Sequence, residues 1–167
     1  MPPDRSATRL AGKPSGFLAM HEADRLIQLL DLIPHPEGGH YRQTFRDVSG
    51  PRAPGGRGET GQGARGHSTL IYFLLKAGEA SHWHRIDAAE VWHFYRGAPV
   101  ELKIGGQIVH LGPAIEHGQV PQAVVPPGAW QAARSMGEYS LVGCTVAPGF
   151  DFATFELAPP GFIPDPL

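Results

Sequence analysis

Residues 78–97 read GEASHWHRIDAAEVWHFYRG, and the rest of the chain is best understood from this stretch. Two histidines, His82 and His84, stand two apart, a carboxylate follows at Glu90, and Gly78 and Gly97 bound the segment. Side chains alternate across a strand, so a strand here predicts both imidazoles on one face. Two imidazoles and a carboxylate from a neighbouring strand form the set that suits Fe(II), Mn, Ni or Zn with open positions. By itself the pair also describes surface histidines or hydrogen-bonded core histidines. Along EVWHFY (90–95), alternation puts Glu90, Trp92 and Phe94 on one face and Val91, His93 and Tyr95 on the other. With Glu90 turned into a pocket, Trp92 and Phe94 line it. His93 then points away, as a hydrogen-bonded core or interface histidine.

Working outward, short β-prone runs recur at intervals of about ten residues. They are GHYRQTFR (39–46), STLIYFLL (68–75), PVELKI (99–104), QIVHL (107–111), QAVVP (122–126), WQAARS (130–135) and YSLVGCTVA (139–147). Glycine and proline separate them, and Gly105-Gly106 is a two-residue hairpin signal. The helical pattern is confined to EADRLIQLLD (22–31), with Pro34 and Pro36 beyond its end. The 167 residues include 22 glycines and 17 prolines, too much punctuation for a helical bundle. The expected fold class is all-β, a single-domain sandwich or barrel with one short N-terminal helix. Its domain spans 17–157, between a polar tail at 1–16 and a proline-rich tail at 158–167. The glycine-rich stretch 49–66 reads as an exposed loop without the spacing of a nucleotide-binding motif.

Charge and composition narrow the partners. Fourteen basic and 16 acidic side chains leave a net charge of −2, which favours neither nucleic acid nor an anionic membrane. The longest apolar run, Leu70 to Leu75, has six residues, far short of the roughly 20 that a membrane helix needs. A lone cysteine, Cys144, excludes an internal disulfide and a multi-cysteine zinc site, and reads as a small buried hydrophobe. The N-terminal residues lack the apolar core of a secretory signal, so the expected location is cytoplasmic. The expected partner is a small molecule held at the mouth of a barrel.

About thirty residues after Gly97 comes PPGAWQ (126–131). With the first stretch it resembles the two cupin motifs, G-x5-H-x-H-x3,4-E-x6-G and P-x-G-x2-H. HPEGGHY (35–41), STLIYFLL (68–75), HWHR (82–85), EVWHFYRG (90–97) and VPPGAWQ (125–131) together resemble the small single-domain cupin-5 branch. The resemblance implies a jelly-roll barrel, usually a homodimer, with a pocket at one mouth and distant likeness to dTDP-sugar 3,5-epimerases. It implies a divalent metal (Fe, Mn, Ni or Zn) at His82, His84, Glu90 and Gln131. Gln131 stands where the metal-binding pattern has histidine, and an amide oxygen is a weaker ligand.

Other residues extend the candidate site. Glu37, in a constrained Pro-Glu-Gly-Gly turn, is a pocket carboxylate on the strength of the resemblance. Paired with Glu90 it supplies two acids in different environments. His35 and His40 flank that turn, where solvated histidines are the commoner case. Tyr72 is a pocket donor or a satisfied core tyrosine. Arg134 belongs to a surface salt bridge. Three functions are compatible with these residues. One is an isomerase, lyase or oxygenase acting through a weakly held metal. Another is a metal-free, epimerase-like enzyme with His82 or His84 as general base and a tyrosine as acid, leaving Glu37 as a further catalytic group. The last is a non-catalytic cupin that uses the pocket to bind or sense a small ligand. In each, Tyr72, Trp92 and Phe94 are the residues expected to contact the substrate or ligand.

Overall fold

The computed structural model describes residues 21–47 and 66–164. The expected tail at 1–16 and the glycine-rich loop up to residue 65 lie outside the described residues. Helix α1 (Glu22–Leu29) is followed by β1 (Ile33–Pro34), β2 (His40–Arg46), β3 (Thr69–Lys76), β4 (Ala80–Arg85) and β5 (Ala89–Gly97). Then come β6 (Val100–Ile104), β7 (Gln107–Leu111), β8 (Gln122–Val125), β9 (Gln131–Ser135), β10 (Tyr139–Ala147) and β11 (Glu156–Leu157). They form a six-stranded sheet in the order β1-β2-β3-β10-β5-β8 and a five-stranded sheet in the order β11-β4-β9-β6-β7. The strand pairs within both sheets are antiparallel, giving the expected all-β jelly roll. No helix among the described residues is long and apolar enough to cross a membrane.

The sheets pack face to face because each strand turns alternate apolar residues inward. Phe73, Trp92, Val100, Leu102, Val125 and Val142 fill the space between them. A second cluster forms on the outside of the larger sheet, where Ala23 and Leu26 of α1 cover Leu74, Tyr139 and Leu141. The Gly105-Gly106 turn joins β6 to β7 as expected, with Ile104 opposite Gln107 and Gly105 at φ +55°. The short edge strands β1 and β11 went unread, since two residues carry no periodicity.

One irregularity decides the site. On β4, Ser81 and His84 pair with Ala133 and Gln131 of β9, so three steps on one strand oppose two on the other. This β-bulge inserts one residue and breaks alternation. Ser81 and His84 are buried, whereas His82 is exposed. The expectation that His82 and His84 share a face is therefore corrected.

Candidate functional site

Between the sheets lies a cavity of about 190 Å3. Its polar groups come from three places. His84 arrives from the bulged strand and Glu90 from the inward face of β5. Glu37 arrives from the turn between β1 and β2. That turn is tightly fixed. The His35 N–H donates to the Gly39 carbonyl and the Gly38 N–H to the His35 carbonyl, both at 3.0 Å. Gly38 has φ +107°, and a Cβ there would lie 2.1 Å from the Ala80 carbonyl oxygen. Only glycine lets the turn approach β4 so closely. The His82 N–H then donates to the Glu37 carbonyl at 2.8 Å. The bulge and the turn are thus tied together, and Glu37 is aimed into the barrel.

The side chains form one connected network. Ser81 Oγ donates to Glu37 Oε1 at 2.8 Å. His84 Nδ1 lies 2.8 Å from the His82 carbonyl oxygen. A carbonyl only accepts, so Nδ1 carries the hydrogen and, in the neutral ring, Nε2 keeps its lone pair. That lone pair faces Glu37 Oε2 at 3.4 Å. His35 Nδ1 accepts the Glu37 backbone N–H at 3.3 Å and stands 3.3 Å from the same Oε2. Opposite, Gln131 Nε2 donates to Glu90 Oε2 at 2.5 Å.

Burial sets the protonation of this network. Glu37 has lost its hydration without gaining a cation, so its carboxyl is pushed up to about 8 against the lowering effect of Ser81. Burial likewise raises Glu90 and lowers His84, the latter against the pull of Glu90 and the hydrogen bond to His82. His35 falls to about 4 through burial and the neighbouring His84. At neutral pH the proton therefore sits on Glu37, and the imidazoles are neutral.

The expected metal set does not fit. His82 stands on the outer surface, in a groove with Trp83, Glu101, Lys103 and Arg134. The only ligating atom of Gln131, Oε1, accepts the Trp92 indole N–H at 2.9 Å. Indole N–H is purely a donor, which fixes the amide with its nitrogen toward Glu90. Of the four expected ligands, His84 and Glu90 alone reach the cavity. Among the described residues no three His, Cys, Asp or Glu side chains make a group able to hold a metal ion.

The ligand-contact residues also move. Tyr72 lies on the outward face of β3, edge-on to Tyr95 with ring centroids 6.2 Å apart, so it is not a pocket donor. Trp92 and Phe94 face inward as expected but belong to the core, not the cavity wall. Tyr41 and Gln43 of β2 line the cavity instead, and Phe150 and Phe152 border it. Alternation along GHYRQTFR was the available signal for Tyr41 and Gln43. The side chain of His35 is buried, not that of a solvated loop residue, because Tyr41, Phe73, Phe152 and Phe155 surround its ring. His93 points outward and meets Thr145 Oγ1 at 3.3 Å. Arg134 forms the surface pair with Glu101, at 3.0 and 2.9 Å. Cys144 is buried but reaches the cavity beside Glu90, which its spacing did not indicate.

Two antiparallel sheets closed around a cavity with its polar groups gathered inside define a cupin barrel. The chain belongs to the Cupin_5 family of the cupin superfamily (DUF985), whose pattern matches residues 24–158. It is similar to the Saccharomyces cerevisiae protein YML079W, with 29% identity over 89% of this chain and 84% of that one. Protein SO0799 from Shewanella oneidensis is 36% identical and superposes with a TM-score of 0.71, over 83% of this chain and 85% of that one. A hypothetical protein from Leishmania major is 31% identical with a TM-score of 0.71, over 81% and 86% of the two chains.

Proposed function

We propose that this cupin is an enzyme that moves a proton on a small molecule held in the barrel, with Glu37 and His84 as the exchanging pair. The observation that carries this reading is the 3.4 Å approach of Glu37 Oε2 to His84 Nε2 inside the cavity. One group holds a proton and the other a lone pair. A substrate carbonyl bearing an adjacent C–H gives its proton to His84 Nε2. The electron pair of that bond moves into the carbonyl, and the Glu37 proton passes to the oxygen as charge develops there. Return of the proton from His84 to that carbon, with the enol proton going back to Glu37, gives the starting compound, or its epimer when the enol has turned its other face to His84. Both groups regain their original state.

This assigns the acid to a carboxyl rather than to a tyrosine and uses His84 without His82. Ser81 and the His82 carbonyl are positioning groups, each holding one partner in its orientation. The proposal also retains the homodimer. Phe45, Leu70, Thr145, Val91 and Val124 lie in register across five strands on the outside of the larger sheet. Phe45, Leu70 and Val124 are exposed, giving a second copy an apolar stripe to cover.

The test is solvent deuterium incorporation into a panel of small enolisable carbonyl compounds, followed by NMR. Exchange is expected with the wild type and lost in both His84→Ala and Glu37→Ala. Exchange surviving in either variant would refute the pair, and binding without exchange would make the protein a ligand carrier or sensor.

A further inference from the structure

The proton-exchange reading leaves Glu90 without a task. Its carboxyl is buried at the cavity wall and hydrogen-bonded by the Gln131 amide and the Cys144 thiol, and the one group near it able to carry positive charge is His84, whose resting ring burial keeps neutral. The other titratable groups facing the cavity are Glu37, His84, His35 and Tyr41. No lysine or arginine lines it among the described residues. The guanidinium of Arg46 is held by the Phe150 carbonyl at 3.3 Å, outside the cavity wall. Burial disfavours ionising this carboxyl without a cation beside it, and a ligand that brings one offsets that cost. The rest of the wall suits such a ligand. Phe150 and Phe152 meet edge to face with centroids 4.8 Å apart, and Tyr41 and Phe73 stand across from them around His35. Aromatic faces attract organic cations and accept their apolar body, whereas among the described residues the wall offers a carboxylate or phosphate only the neutral imidazoles of His35 and His84.

We infer that the cavity selects an organic cation, with Glu90 receiving a protonated amine of the ligand while the aromatic wall holds its hydrocarbon part. This rests on the reading of the cavity as a small-molecule site and names the charge class of its substrate. It separates the protein from the nucleotide-sugar enzymes that its fold suggests, since their substrates are anionic.

The test is calorimetric titration of the full chain at neutral pH with three probes of one shape: cyclohexylamine, cyclohexanol and cyclohexanecarboxylate. The amine is expected to bind at least about tenfold more tightly than the alcohol, a gap of about 1.4 kcal/mol, with the carboxylate weakest. In Glu90→Gln the amine should fall to the level of the alcohol while the alcohol is unchanged. Alcohol or carboxylate binding as tightly as the amine would overturn the inference and leave the small-molecule reading standing. An amine preference that survives Glu90→Gln would remove Glu90 from it. Failure of all three probes to bind would overturn both. Should the variant not fold, the rank order in the wild type still decides the outcome.

Discussion

Replacing Glu37 by glutamine should change how stability depends on pH. The wild-type carboxyl has an ordinary value of 4.5 in the unfolded chain and about 8 in the fold. Its shift is upward, so its contribution is full at low pH and is lost as pH rises toward 8. Each pH unit of mismatch corresponds to about 1.4 kcal/mol. His35 shifts the other way, from 6.5 to about 4, so its contribution is lost as pH falls through that range. Below pH 6.5 the two slopes oppose each other and nearly cancel. Between pH 6.5 and 8 only the carboxyl slope remains, and the fold should lose about 2 kcal/mol. Glu90 shifts in the same sense as Glu37 and His84 in the same sense as His35, so the loss of about 2 kcal/mol is the part that Glu37 adds and that its replacement removes. Glutamine imitates the protonated acid, accepting from Ser81 and donating toward the imidazoles. Urea denaturation of both proteins across this range measures the effect. The wild type should weaken toward pH 8 and Glu37→Gln should weaken less by about 2 kcal/mol. A wild-type stability that is flat or rises across this interval, or a variant with an undiminished slope, would refute the reasoning.

The remaining predictions concern the scaffold. Gly38→Ala should cost at least about 2 kcal/mol in chemical denaturation, since the added Cβ meets the Ala80 carbonyl at a backbone angle alanine avoids. Trp92→Phe should cost about 1–3 kcal/mol by leaving the buried Gln131 oxygen without its donor, again read by denaturation. His82→Ala should leave probe binding in the cavity unchanged, whereas His84→Ala should alter it; equal effects in calorimetry would contradict the outward placement of His82. Tyr95→Glu, beside the apolar stripe, should shift the protein toward monomer in sedimentation velocity.

The fold was legible because it rests on local signals. The glycine and proline turns, the Gly105-Gly106 hairpin and the alternation in EVWHFY each fix a neighbouring element without knowledge of the rest. Within the site those local signals reach only Glu90; the turn at 35–39 reads locally as a turn, and Glu37 enters the pocket through the family resemblance. His82 and His84 were misplaced because alternation holds only in a regular strand. The bulge that separates them is set by pairing with β9 and by the Glu37 carbonyl, both distant in sequence. Of the two readings of Tyr72, the pocket donor fails for a related reason, and the ring packs against the outer core cluster instead. The even-numbered face of STLIYFLL is apolar because α1 covers Leu74, and that face is the outside of the barrel. Gln131 carried the expected spacing, but its orientation depends on Trp92, thirty-nine residues away.

The central claim is that Glu37 holds a proton at neutral pH against the free lone pair of His84. The most direct measurement is the carboxyl 13C shift of Glu37 as a function of pH, assigned by comparison with Glu37→Gln, together with the 15N shifts of His84. The account predicts a Glu37 midpoint near 8 and a neutral His84 with its hydrogen on Nδ1. A Glu37 midpoint near 4.5, or a His84 ring already protonated at neutral pH, would contradict it.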